Sequence, residues 1–144
     1  MRKISPDVWI AELREWVGTP WHHQGRAKGA GADCIGLVIG AAHALKLTTF
    51  DIFTYPAVPH DRVLETELRK TPLVREIPEA EIQPGDLEIY TLYRLPQHVA
   101  VRTQLPDGRA GMLHAYVSEG RVVETGLTDK WAGRRVSAFR PVFL

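Results

Sequence analysis

The sequence is poor in cysteine and has no excess of charge of either sign. Cys34 is its single cysteine among 144 residues, so no internal disulfide can cross-link the chain. Eighteen basic and seventeen acidic residues give a net charge of +1. Proteins that bind duplex nucleic acid usually carry a clear basic excess, so we expect no nucleic acid as a direct partner.

Long hydrophobic runs and internal repeats are also lacking. No apolar run reaches the ~18 residues of a membrane-spanning helix, and no uninterrupted apolar segment follows the basic N-terminus as in a secretory signal. We therefore expect no membrane partner and synthesis in the cytoplasm without a signal peptide. Hydrophobic residues at 44% and charged residues at 24% are ordinary for a globular protein, and the length predicts one domain over residues 1–144.

The first half of the chain is helical in pattern. A Ser-Pro start and apolar residues at helical spacing predict an amphipathic helix over residues 6–17. Residues 18–33 are rich in glycine and lack apolar periodicity, which predicts a loop. Cys34 then begins a run that is apolar on every side to about Leu45, typical of a central helix. Residues 47–60 read as a surface loop.

A second amphipathic helix is predicted from Asp61, and its end is marked by Thr71-Pro72. Beyond it the apolar period changes to two, which indicates short strands separated by Pro and Gly turn signals. The six runs are "LVREI", "DLEIYTL", "HVAVRT", "MLHAYV", "RVVETGL" and "VSAFRPVF". Helices followed by strands predict an α+β domain in which N-terminal helices pack on an antiparallel meander.

Cys34 has three possible roles: packed core thiol, metal ligand or nucleophile. Unpaired N–H groups at a helix start lower the pKa of a thiol, and the glycine-rich loop before it lets a substrate approach the backbone. The Cys34 amide could also donate to an oxyanion. Free cysteines are nevertheless commonly small buried hydrophobes, so this segment alone leaves the choice open.

Two histidines on predicted strands could serve a nucleophilic cysteine. A hairpin centred on Pro106 pairs residues whose numbers sum to 212, which predicts His98 directly opposite His114 on one sheet face. A nucleophile needs a base, and the base needs an orienting group. In the loop before Cys34, His23 or its neighbour His22 is predicted to line the same cleft.

Four motifs in this order resemble the NlpC-type papain-like cell-wall peptidases. They are "GTPWHHQGRAKGAGADCIGLV", "QPGDLEIY", "HVAVRT" and "LHAYVSEGRVVET", and they cover most of residues 16–127. The "TPWHHQGR" variant looks most like the tail-associated branch of phages and gene transfer agents. The resemblance implies a papain-like fold with a catalytic cysteine at a helix start.

The resemblance also implies roles for individual residues. Cys34 matches the nucleophile, His98 the general base and acid, and His114 the residue that orients the base. Asp33 matches the acidic residue that helps to hold the free amine of the peptide stem. Trp21 stands where the family usually has a tyrosine near the active site.

The implied activity is hydrolysis of an amide bond in peptidoglycan stem peptides, commonly between D-glutamate and the diamino acid. The implied enzyme requires no metal or other cofactor. It would be carried by tail proteins and would open the wall of the target cell locally, in the periplasm, so that DNA can pass.

Several alternatives remain at this stage. Cys34, His98, His114 and His23 are ligand types that suit zinc, although a close-spaced ligand pair is lacking. Ile35, where the family usually has serine, and the changed tyrosine position would suit an inactive tail-tip protein of the same fold. Acyl transfer to lipid would be a third reading, and no membrane-binding helix favours it. Glu124 is the replacement candidate for the orienting residue.

Overall fold

The computed structural model describes residues 2–56 and 62–144, which form an α+β structure. The helices in this part of the chain are α1 (Pro6–Arg14), α2 (Cys34–Ala44), α3 (Val63–Lys70) and α4 (Asp129–Ala132). The strands are β1 (Arg26–Ala27), β2 (Gly31–Ala32), β3 (Val74–Ile77), β4 (Leu87–Leu92), β5 (Leu95–Gln104), β6 (Ala110–Tyr116), β7 (Arg121–Gly126) and β8 (Arg135–Pro141). The predicted fold class is confirmed.

The main sheet has six antiparallel strands in the order β3-β8-β4-β5-β6-β7. All six predicted strand runs are present, and β4 to β7 form the predicted meander. The last strand departs from it, because β8 returns to lie between β3 and β4. Ala138 and Phe139 of β8 are at most 1% exposed, so an internal position buries this apolar strand better than an edge would.

Helix α1 is shorter than the predicted span of residues 6–17. Ser5 caps it by accepting a hydrogen bond from the Val8 N–H, as its sequence indicates. After Arg14 the chain tightens into bonds between residues three apart, including Trp16 N–H to the Leu13 carbonyl at 3.0 Å. The α-helix thus ends at Arg14, and residues 15–17 of the predicted span form a tighter turn that continues its apolar face.

Helix α2 confirms the predicted central apolar helix, and it packs between α1 and the sheet. Its close approach to Trp16 depends on Gly40, since a Cβ there would lie 2.3 Å from the indole ring. The core that it shares with the sheet is apolar, with Trp9, Leu37, Ile89 and Val101 each at most 1% exposed. Burial of this core on the inner sheet face fixes the start of α2 against β5 and β6.

The two predicted loops differ in how far the structure follows them. Residues 18–33 contain the short β1–β2 ladder, which the loop prediction missed because two-residue strands leave no periodic signal. The loop predicted over 47–60 is confirmed as far as residue 56. Residues 57–60 and Asp61, the predicted start of the second amphipathic helix, lie outside the described residues. None of the helices in the described ranges combines the length and apolarity needed to cross a bilayer.

Candidate active site

Cys34 is the first residue of α2, and Asp33 caps this helix. The Asp33 Oδ1 accepts a hydrogen bond from the Gly36 N–H at 2.7 Å. Gly36 also allows the preceding loop to fold onto the first turn, because a Cβ there would lie 1.7 Å from the Gly25 carbonyl oxygen. The glycine-rich segment thus holds the half-buried Cys34 at the start of a buried helix.

The Cys34 sulfur lies beside the region where β5 and β6 separate. The paired register between these strands ends at Val101 and Leu113. Beyond that point the Gln97 carbonyl is 4.0 Å from the sulfur, and the Val99 N–H is also directed at it. Backbone groups that would otherwise continue the ladder face the thiol instead.

The pKa of Cys34 is shifted in the direction opposite to the sequence expectation. Burial, followed by the charge of Asp33, raises the pKa of the thiol to about 12. The N–H groups of Val99, Ile35 and Cys34 itself act in the other direction but are outweighed. Part of Cys34 reaches solvent, and with its pKa raised this far the resting side chain is a neutral thiol at pH 7.

His98 and His114 meet as predicted but not in the predicted register. The His98 Nε2 lies 2.6 Å from the His114 Nδ1. The strands pair with numbers that sum to 214, because Leu105 and Arg109 close a three-residue loop in which Gly108 has φ of +89°. The shift of two residues keeps both histidines on one face but makes them diagonal neighbours.

Both histidines are buried, His98 at 3% and His114 at 1% exposure. Burial and the neighbouring His114 lower the pKa of His98 well below its ordinary value, and burial lowers the pKa of His114 to about 4. Both rings are therefore neutral at pH 7. Since the His98 Nε2 is engaged by His114, the His98 Nδ1 is the ring nitrogen left to exchange a proton with a substrate or a thiol.

Two aromatic side chains contact this pair, and a third packs on one of them. The Tyr116 ring stacks on His114 at 5.4 Å between centroids, and Trp131 of α4 contacts both histidines at 5.4 and 5.7 Å. Tyr90 of β4 packs on Trp131 with 5.3 Å between ring centroids. Sequence reasoning missed these residues. Thr128 is a helix-cap signal that could have revealed α4, but nothing local indicates where Trp131 packs.

Cys34 and His98 open into one cavity of about 330 Å³, here called the active-site cavity. Asp33, Trp21 and His23 line it as well, so the structure brings five of the six predicted site residues to one cavity, with His114 behind His98. The His23 Nδ1 is 3.9 Å from the Asp33 carboxylate. His22 is exposed and does not belong to the lining.

Asp33 is 4% exposed and is held by more donors than a helix cap needs. Its Oδ2 accepts from the Gln24 N–H at 2.7 Å and from the Tyr55 hydroxyl at 2.8 Å. Arg26 lies 3.5 Å from Oδ1 and donates to the Tyr55 oxygen at 2.8 Å. Asp33 thus joins the start of α2 to the segment around residue 55, and its role in holding an amine stays a prediction.

Glu124 lies on the other face of the sheet from the histidine pair. It is opposite Leu113 on β7, whereas His114 is opposite Val123. The Glu124 carboxylate forms a bidentate ion pair with Arg14, with both N–O distances at 3.0 Å. Glu124 therefore supports α1 and does not contact His98.

The described residues offer no group of three or more His, Cys, Asp or Glu side chains placed to hold a metal ion. His98 and His114 bond to each other through one nitrogen each, which is the geometry of a relay. The arrangement in this part of the chain supports the zinc alternative less well than the nucleophile.

A cysteine at the start of a buried helix, set against an antiparallel sheet that carries a histidine pair, defines a papain-like fold. Solved structures agree with this class. The chain is similar to an NLP/P60-family lipoprotein-like protein of Staphylococcus aureus subsp. aureus Mu50, with TM-score 0.65, 18% identity and coverage of 97% of this chain. It spans 43% of that protein.

Two isolated domains give similar results over nearly their whole length. The NlpC/p60 domain of the peptidoglycan hydrolase SagA has TM-score 0.63 and 19% identity, with 94% of this chain and 97% of that domain covered. The P60 domain of an antigen from M. avium subspecies paratuberculosis has TM-score 0.58 and 20% identity, with 96% and 95% covered. No family model and no curated protein matches the sequence. These neighbours establish an NlpC/P60 papain-like fold.

Proposed function

We propose that the chain is a cysteine peptidase that hydrolyses amide bonds in the stem peptides of peptidoglycan. The observation that carries the proposal is the placement of Cys34 and His98 in one cavity, with His114 bonded to the far side of His98. The fold adds support, since one structural neighbour is named as a peptidoglycan hydrolase.

The proposed reaction begins from a neutral thiol and a neutral imidazole. His98 takes the Cys34 proton on Nδ1 as the sulfur attacks the scissile carbonyl, and a tetrahedral intermediate forms. The His98 Nε2–H donates to the His114 Nδ1 throughout, which keeps Nδ1 available and steadies the imidazolium. His98 then protonates the leaving amine, and a thioester on Cys34 remains.

In deacylation His98 acts first as the base and then as the acid. Water attacks the thioester carbonyl, His98 removes a proton from that water, and the thiol is restored. The Cys34 N–H can donate to the oxyanion in both steps, because the first amides of α2 have no acceptor within the helix. The chemistry proposed here uses no metal.

The bond between D-glutamate and the diamino acid is the proposed point of cleavage. Purified peptidoglycan is digested with the wild-type protein and with Cys34→Ala as the control, and the fragments are identified by mass spectrometry. Fragments that end in D-glutamate support the proposal. Cleavage at another stem bond would revise the specificity, and no wild-type cleavage would favour a binding role on the same fold.

We further propose that the protein is a component of a phage or gene transfer agent tail and opens the cell wall for DNA entry. The "TPWHHQGR" resemblance is the support for this role. Tail particles purified from the producing strain are analysed by quantitative mass spectrometry. A fixed number of copies per particle is expected, whereas recovery of the chain only outside particles would contradict the role.

A further inference from the structure

Trp131 occupies the centre of the aromatic cluster around the two histidines. Its indole centroid lies 5.7 Å from the ring of His98 and 5.4 Å from that of His114. It lies 5.2 Å from Tyr116 and 5.3 Å from Tyr90. A single side chain therefore touches both members of the pair and both of the tyrosines beside it.

The strands alone do not explain why the two imidazoles meet. The β5–β6 register ends at Val101 and Leu113, before the positions of the histidines. His98 and His114 are diagonal neighbours, and their contact is one hydrogen bond between ring nitrogens. Diagonal side chains on separating strands need further packing to hold one geometry.

The geometry points to Trp131 as a positioning residue, which holds His98 and His114 in their shared hydrogen bond and keeps water away from it. This inference rests on the proposed function only because that proposal gives the histidine pair its catalytic role. The contacts themselves are features of the fold.

The surroundings of Trp131 fit a fixed indole. The Thr128 Oγ1 accepts a hydrogen bond from the Trp131 N–H at 3.3 Å, and the Arg134 N–H donates to the Trp131 carbonyl at 2.8 Å. The Arg134 guanidinium lies 5.5 Å from the indole centroid. Backbone bonds on both sides and a cation over the ring hold Trp131 in place.

The other titratable groups near the pair lie on α2, on β4 and on β6, the strand of His114 itself. They are Cys34 at the start of α2, Tyr90 on β4 and Tyr116 on β6. Burial raises the pKa of the Cys34 thiol and of the Tyr90 hydroxyl, so both groups stay neutral at pH 7. Loss of the indole would therefore affect the histidines mainly by letting water reach them and by letting their imidazole rings move.

The test is NMR titration of the histidine rings in wild type, Trp131→Ala, Trp131→Leu and Trp131→Phe. Trp131→Ala should raise the pKa of His114 by about one unit towards its ordinary value and should mix the tautomers of His98, because water replaces the indole. Phe should preserve most of the wild-type signals. Lys130→Ala, an exposed change in the same short helix, is the matched control.

Wild-type tautomers and pKa values in folded Trp131→Ala would overturn the inference. If Trp131→Ala does not fold, the comparison of Leu with Phe decides it, since Leu keeps apolar volume without a ring; equal spectra for those two would also overturn it. Stem-peptide hydrolysis adds a second readout, with kcat about tenfold lower in Trp131→Ala and a smaller change in KM. Should wild type show no hydrolysis, the proposed function fails while the NMR result still decides the role of Trp131.

Discussion

Cys34 and the histidine pair are held in place by different kinds of interaction. On the cysteine side, Asp33 receives directed hydrogen bonds from Gly36, Gln24 and Tyr55. On the histidine side, one polar contact at 2.6 Å lies within a group of packed aromatic rings. Directed bonds fix a helix start at one angle, whereas ring packing fixes a pair of side chains and excludes water from them.

This difference predicts how each side fails. Loss of one donor on the cysteine side leaves other donors in place, so the start of α2 should move little. Loss of the single histidine contact leaves His98 without a polar partner for Nε2, so its tautomer is no longer set. Loss of the histidine contact should therefore lower the rate of catalysis more than loss of one donor to Asp33.

Replacement of His114 is expected to have the largest effect among these comparisons. His114→Ala should lower kcat by roughly 10² to 10⁴, since removal of an orienting group can leave the base in the wrong tautomer. His114→Asn and His114→Gln should retain more activity, because an amide oxygen can accept the His98 Nε2–H. Stem-peptide hydrolysis by the three variants is compared after circular dichroism has confirmed folding. Equal wild-type rates in all three would exclude His114 as the orienting residue.

Acid should destabilise the folded protein through its two buried histidines. The pKa of His114 is lowered to about 4 in the folded protein, so the unfolded chain takes up the proton more readily. The free energy of unfolding should fall as the pH drops from ~6.5, by roughly 3 kcal/mol for this group once the pH is below 4. His98 shifts in the same direction and adds to the fall.

Urea titrations at several pH values measure this dependence. His114→Gln should flatten the fall between pH 6.5 and 4.5, before most carboxylates titrate. A wild-type slope equal to that of His114→Gln in this range would show that His114 titrates normally in the folded protein.

The hydrogen bonds to Asp33 should show graded losses of stability. Asp33→Ala should cost about 2–4 kcal/mol, because the helix cap is lost and buried N–H groups stay unpaired. Tyr55→Phe removes one donor of several and should cost about 1 kcal/mol. Urea unfolding measures both, with Tyr93→Phe, 81% exposed, as the control. Equal costs for Asp33→Ala and Tyr55→Phe would contradict this view of the cysteine side.

The rate of Cys34 alkylation should show the smallest effect, and it reports on the surroundings of this one side chain. Because burial raises the pKa of the thiol to about 12, iodoacetamide should react slowly at pH 7 and faster only above about pH 9. The rate is followed by intact mass across this pH range. A plateau of fast alkylation below pH 7 would instead indicate a resting thiolate paired with His98.

Much of the fold could be predicted from local patterns. Period-two runs between turn signals located all six main strands, and the Ser5 cap and the apolar run after Asp33 located two helices. The order of the sheet could not be predicted, because the position of β8 depends on contacts between distant segments. The two-residue error in the hairpin arose because the Leu105–Arg109 closure was not apparent from the turn signal alone.

The site residues that belong to sequence motifs could be predicted, whereas those placed by packing between distant segments could not. Cys34, His98 and the lining residues Trp21 and His23 were identified from sequence, and they share the active-site cavity. Trp131 was missed, because its contacts join α4 to three strands. The predicted direction of the Cys34 pKa shift was wrong, because the sequence shows that Cys34 begins a helix but does not show how deeply it is buried.

The proposed function requires that Cys34 carries the reaction. The direct measurement is the rate of hydrolysis of one stem peptide by wild type and by Cys34→Ala, with folding of both established by circular dichroism and urea unfolding. We expect no detectable hydrolysis by the folded variant, because no other described side chain in the cavity carries a thiol. Hydrolysis by folded Cys34→Ala at the wild-type rate would contradict the account.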